Sequence, residues 1–133
     1  MKTDVESIDG LRARFRGFCD SLLRSICIQY SPNGERRVRV ELFARDWNEC
    51  SHESWREVSL QLDGVGDYCF CDEENKSMSV LSNGAHVVSL DGLWCIELGY
   101  SVSPPQTIDE ARQSTTFAVA QRLSWLVADS NDH

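Results

Sequence analysis

The chain has 133 residues, 41% of them apolar and 26% charged, and a formal net charge of −8. A chain of that length buries one core and is short for two, so a single domain over 1–133 is expected. No stretch approaches the ~20 apolar residues of a membrane helix. The polar, acidic start from Met1 to Gly10 does not read as a secretory signal, which makes the cytoplasm the expected compartment.

Thr3 followed by Glu6 fits a helix capping box. Val5, Ile8, Leu11, Phe15 and Phe18 then recur at helical spacing and predict an amphipathic helical segment over 1–18. From Leu22 the apolar period drops to two, so a β-sheet body is predicted over 19–127. Four dipeptides punctuate it: Asn33-Gly34, Asp63-Gly64, Asn83-Gly84 and Asp91-Gly92. Asn or Asp before Gly readily takes the positive φ of a tight hairpin, and four such pairs point to an antiparallel sheet.

Register can be argued at the first of them. A two-residue turn at Asn33-Gly34 would set Ile28 opposite Arg39. A three-residue loop, Pro32-Asn33-Gly34, sets Ile28 opposite Val38 and Ile26 opposite Val40, and is preferred because it keeps the apolar set on one face. Residues 45–54 read as a polar connection. Val58, Leu60 and Leu62 share one face of the next strand, and 68–71 form a short strand ahead of an acidic loop. A meander over 78–82, 85–90 and 93–99, with tight turns at Asn83-Gly84 and Asp91-Gly92, lines up Val80, Val87 and Ile96 with Trp94 and Leu98. It also sets His86 opposite Glu97.

Ser103-Pro104-Pro105 ends that sheet, and Thr107 with Glu110 forms a second capping box at the head of a short helix. Residues 115–127 alternate again, with Phe117, Val119, Leu123 and Trp125 on one side. They are read as a last strand, with a helix as the competing reading. The tail, 128–133, is expected to be disordered. The fold class is therefore mainly β: a single-domain antiparallel β-sandwich or curved sheet, with an N-terminal helix and a short helix before the last strand.

Charge is unevenly spread. Residues 1–61 hold ten bases and ten acids, whereas 62–133 hold three bases and eleven acids, which supplies the whole −8. Such a field repels nucleic acid and membranes and attracts basic proteins. The cluster Asp63, Asp67, Asp72, Glu73 and Glu74 has no base between Arg56 and Lys76, which makes it a candidate docking surface beside the plainer reading of a solvated edge. Trp47, between Asp46 and Asn48 in a polar connection, is the candidate contact anchor, since Trp often dominates interface energy.

Nothing in the sequence supplies a catalytic constellation. No Gly-rich phosphate loop or nucleophile elbow is present, and Cys50 with His52 are two ligands, not a metal site. The acidic spacing matches no EF-hand. His86 opposite Glu97 suits an ordinary cross-strand pair better than acid–base chemistry. No cofactor is expected. The six cysteines read as reduced, buried thiols, and Cys69 with Cys71 share a strand face without the Cys-x-x-Cys spacing of redox or zinc sites.

The segment order, carried by residues 18–23 (FCDSLL), 55–65 (WREVSLQLDGV), 80–87 (VLSNGAHV), 91–99 (DGLWCIELG) and 117–125 (FAVAQRLSW), resembles small bacterial β-sandwich proteins, some of them immunity proteins of polymorphic toxin systems. The resemblance implies a non-enzymatic protein that binds and blocks a cognate basic toxin, with no catalytic residues to carry over. The alternatives are a ligand-binding or enzymatic sandwich with a pocket between sheets, and a homodimer paired through exposed strand edges.

Overall fold

The structure, a computed structural model, describes residues 7–47, 54–71, 80–98 and 102–128. The first helix, α1 (Ile8–Arg14), starts where the Ser7 side chain accepts a hydrogen bond from the Gly10 amide at 3.1 Å. The predicted cap at Thr3 and Glu6 lies outside the described residues. A 3-10 turn over Arg16–Phe18 follows, and Arg16, Gly17, Phe18 and Asp20 all take positive φ. Left-handed backbone at Phe18 is strained, and packing holds it there. Phe15 and Phe18 stack 5.4 Å apart and, with Leu11, are fully buried.

Seven strands follow: β1 (Ser21–Tyr30), β2 (Arg36–Arg45), β3 (Trp55–Phe70), β4 (Val80–Leu81), β5 (His86–Leu90), β6 (Leu93–Glu97) and, after helix α2 (Ile108–Arg112), β7 (Thr116–Val127). They form one antiparallel sheet in the order β4-β1-β2-β3-β7-β6-β5. Of the two architectures the sequence allows, the curved single sheet is the one found. The last segment is strand, and Thr107 caps α2 by accepting from the Glu110 amide at 3.1 Å.

The two edge strands, β4 and β5, are separated in the chain by only residues 82–85. The five residue steps from Leu81 to His86 span at most ~18 Å, so the sheet must curl to bring its edges near each other. The N-terminal segment lies along this seam. Asp20 donates to the Leu81 carbonyl at 2.8 Å, Ala85 donates to the Gly17 carbonyl at 3.0 Å, and Arg12 reaches the edge carbonyl of Val87 at 2.5 Å. An edge covered in this way is no template for a further strand. Gly84, at φ +81, passes so close to Gly17 that a Cβ there would stand well inside 3.0 Å of its carbonyl oxygen.

The inner face carries the main core: Val38, Val40 and Leu42 of β2, Val58, Leu60 and Leu62 of β3, Val87 and Ile96 at the seam side, and Leu11, Phe15 and Phe18 as the plug. The predicted β1–β2 register holds, with Ile28 paired to Val38, Ile26 to Val40 and Gly34 in the left-handed position. Asp91-Gly92 makes the expected two-residue hairpin, both residues at positive φ.

Four expectations are corrected. Asp63-Gly64 is no turn: β3 runs through it, and Gly64, at φ +69, forms a kink against the Gln121 side chain. Asn83-Gly84 joins the two edges of the sheet and makes no hairpin, because β4 pairs with β1 and leaves Val80 exposed. Nor do Phe117, Val119, Leu123 and Trp125 share a face. Leu123 and Trp125 pack on the main core, whereas Phe117 and Val119 join Cys95, Ile108 and Ala111 in a second cluster under α2. The kink where β7 crosses Gly64 flips the alternation, so Ala118 and Ala120 take the inward positions. The thiols are also less buried than expected. Among the described residues only Cys95 is buried, Cys69 is half-buried, and Cys19, Cys27 and Cys71 are exposed, all of them free.

Candidate functional site

Strand alternation that turns Val38, Val40 and Leu42 inward turns Arg37, Arg39, Glu41, Phe43 and Arg45 outward. Across the ladder they meet Asp63, Gln61, Ser59, Glu57 and Trp55 of β3, and Ser124 and Leu126 of β7 lie beyond. The outer face of β2, β3 and β7 is thus polar along its middle. A groove of about 430 Å³ opens there, lined by Arg39, Glu41, Glu57, Ser59, Gln61 and Ser124, with Val58, Trp125, Leu126 and Ala128 as its apolar part.

A hydrogen-bonded row forms one wall. Arg39 donates to Gln61 Oε1 at 3.0 Å, Gln61 donates to Asp63 Oδ2 at 3.0 Å, and Arg37 donates to Asp63 Oδ1 at 2.7 Å. Burial alone would raise the Asp63 pKa, but the bonds from Arg37 and Gln61 outweigh it and hold the carboxyl below its ordinary value. Arg122, the cross-strand partner of Asp63, forks onto both oxygens of Glu35 at 2.6 Å and lowers that carboxyl too. Glu41 and Glu57 differ: among the described residues neither forms an ion pair.

The sequence-predicted contact residues do not converge. Asp63 sits at one end of the β2–β3 ladder, neutralised by Arg37. Asp67, past the kink, is held by Arg112 of α2 at 2.7 Å, and the same guanidinium reaches Asp109 at 3.4 Å. Asp72, Glu73 and Glu74 lie outside the described residues. Trp47 is at the opposite end of the ladder from Asp63, about 27 Å away over the eight residue steps from Arg37 to Arg45. The indole is 39% exposed, and the guanidinium carbons of Arg16 and Arg45 each stand 3.9 Å from its ring centre. Beside it Arg24 lies over Phe43, which stacks on Trp55 at 5.4 Å. Beneath this row Asp46 is buried, with Arg14 at 2.9 Å and Arg56 at 2.6 Å.

The face therefore runs from an arginine–aromatic end to a groove with two carboxylates. Glu41, Glu57 and the arginines on Trp47 were not among the residues picked from sequence. The alternation Arg37-x-Arg39-x-Glu41 was the available signal for the outward row, whereas Arg16 reaches Trp47 only through the docking of α1.

Comparison with family models, with curated proteins and with solved structures finds no match to this chain.

A second polar cluster lies at His86 and Glu97, paired across β5 and β6 as the register predicts. His86 Nε2 is 3.9 Å from Glu97 Oε1, and the buried Ser114 hydroxyl donates to Glu97 Oε2 at 2.8 Å. The carboxylate stands between hydroxyl and imidazole. A nucleophilic serine needs the imidazole next to it to take its proton, so the order here is wrong for acyl transfer. Adjoining it is a cavity of about 170 Å³, lined by Glu97, Pro104, Pro105 and Glu110, below the usual size of a ligand pocket. Cys50 and His52 lie outside the described residues, and no group of three or more metal-ligating side chains occurs among the described ones. No helix among the described residues is long and apolar enough to cross a membrane.

Proposed function

We propose that this chain is a non-enzymatic binding protein that captures a second protein on the outer face of β2, β3 and β7, and most specifically an immunity protein that neutralises a basic toxin. The observation that carries the reading is the groove presenting Glu41 and Glu57, neither ion-paired among the described residues, in a chain of net charge −8. Two open carboxylates in a partly enclosed groove favour a basic side chain entering between them, because the groove walls limit screening. The other described carboxylates named from sequence, Asp63 and Asp67, are already held by arginines. Trp47, with guanidiniums on its ring, lies outside the groove's lining and would be a second contact point.

The test uses the polypeptide encoded beside this one, in inactivated form, with association followed by stopped flow. Complex formation, with an association rate that falls at least ~10-fold between 0.05 and 0.5 M salt, is expected from screening. The double variant Glu41→Gln/Glu57→Gln should slow capture at low salt and leave the high-salt rate unchanged. Association indifferent to salt and to both substitutions overturns the electrostatic reading, and absence of a complex overturns the toxin-neutralising one.

A further inference from the structure

Cys69 and Cys71 lie at the end of β3, away from the groove. Their sulfurs are 3.5 Å apart. Cys69 sits one pair before the end of the ladder, opposite Phe117, and half-buried against the cluster under α2. Cys71 is one residue past the strand and exposed, its amide still bonded to the Thr115 carbonyl at 2.9 Å. Residues two apart on a regular strand have Cα atoms ~6.6–6.8 Å apart, at the upper limit of ~6.8 Å that a disulfide tolerates. Cys71 lies one residue past β3, so closing the remaining distance asks only its bond to Thr115 to give. The sulfurs need approach only ~1.5 Å to reach a bonded ~2.05 Å.

We propose that Cys69 and Cys71 form a reversible dithiol–disulfide site, oxidised by a peroxide and restored by a low-molecular-weight thiol. The exposed Cys71 thiolate attacks one peroxide oxygen. An S–O bond forms, the O–O bond breaks, and the departing hydroxide takes a proton to become water. The Cys69 thiolate then attacks the Cys71 sulfur, forming the S–S bond and releasing the sulfenic oxygen as a second water. Two thiols give up two protons and two electrons, and the peroxide takes both. The order of attack follows from the environment of Cys69, whose thiol is pushed up by its hydrogen bond with Cys71, by burial and by the charges of Cys71 and Asp67. Cys71 is thereby the first to react and Cys69 the resolving thiol. A bridge across two residues of one strand is strained, and strained, exposed disulfides are the readily reduced ones.

The test exposes the reduced protein to equimolar hydrogen peroxide, quenches with a maleimide in denaturant so that the buried Cys95 is reached as well, and reads intact mass and peptide maps. Two of the six thiols should escape alkylation. The peptide holding Cys69 and Cys71 should be lighter by two hydrogen atoms in a monomeric product, and excess glutathione should restore it. In Cys69→Ser the Cys71 sulfenic acid should accumulate and be trapped by dimedone. In Cys71→Ser neither the loss of two thiols nor an adduct at Cys69 should appear. Six alkylatable thiols after oxidant, or a bridge to any other cysteine, overturns the proposal, and a dimedone adduct at Cys69 in Cys71→Ser overturns the order of attack.

Discussion

Substituting Gly84 by Ala tests whether the seam of the sheet is closed as described. Gly84 holds φ +81, which costs an L-residue ~1–2 kcal/mol. Its new methyl would meet the Gly17 carbonyl oxygen and come within 3.1 Å of the Cys19 amide nitrogen. Neither neighbour is a flexible side chain, so the N-terminal segment must move off the seam. That breaks the bond from the buried Ala85 amide to Gly17 and leaves its groups unsatisfied, for a further ~1–3 kcal/mol. The sum, ~2–5 kcal/mol, is a large share of the ~5–15 kcal/mol that stabilises a typical domain. Gly92 is the internal control. Its φ of +77 is nearly the same, but nothing lies within 4 Å of the position a Cβ would take. Gly92→Ala should therefore lose only the conformational ~1–2 kcal/mol. Urea unfolding followed by tryptophan fluorescence gives both values. Equal losses in the two variants would refute the close approach and with it the seam contact.

Asp46→Ala removes the carboxylate that serves Arg14 and Arg56 together and leaves two poorly solvated guanidiniums facing each other. A loss of ~3–5 kcal/mol in urea unfolding is expected, and a loss under ~1 kcal/mol would show that the three groups do not act as a buried unit. Stability should fall in acid. Asp63 and Glu35 have folded-state pKa values below their unfolded ones, so their contribution is complete above the ordinary carboxylate range and disappears as pH falls through the lowered values. Denaturation between pH 5 and pH 2 should show that decline, shallower in Asp63→Asn, and identical slopes would refute the role of Arg37. The Cys95 thiol is pushed up to about 12 by burial and then by Glu97. At pH 8 iodoacetamide should label exposed Cys71 in the native protein and reach Cys95 only on unfolding, as mass spectrometry of peptides would record.

Much of the sheet was legible because neighbouring residues determine it. Pro32-Asn33-Gly34 and the alternation on both sides allow only one register that keeps Ile26 and Ile28 with Val38 and Val40. Asp91-Gly92 is equally local. Asp63-Gly64 carries the same signal, yet the strand continues, because β7 arrives from some 50 residues later and offers a partner on both sides of the kink. There the positive φ of Gly64 bends a strand and turns no corner. Asn83-Gly84 was misread for a related reason: Val80 and Leu81 find β1, which lies some 60 residues earlier. The candidate site shows the same division. The polar neighbours of Trp47 made it a candidate contact residue, with packing over the sheet end as the alternative, and gave no sign of the arginine delivered by the turn after α1. Counting acids along the chain marked Asp63 and Asp67, and could not register that Arg37 and Arg112 reach them across the sheet.

The ladder between β3 and β7 has a consequence for biosynthesis. It joins the two halves of the sheet at its centre, pairing Val58 with Val127 and Phe70 with Thr116. A nascent chain in which residues 116–127 have not yet left the ribosome can pair β4-β1-β2-β3 and the β5-β6 hairpin, but lacks the strand that joins them. Pairings this distant in sequence place the domain among the slow folders, and until β7 emerges the flank of β3 stands uncovered. Emergence of β7 is what lets the two pieces join.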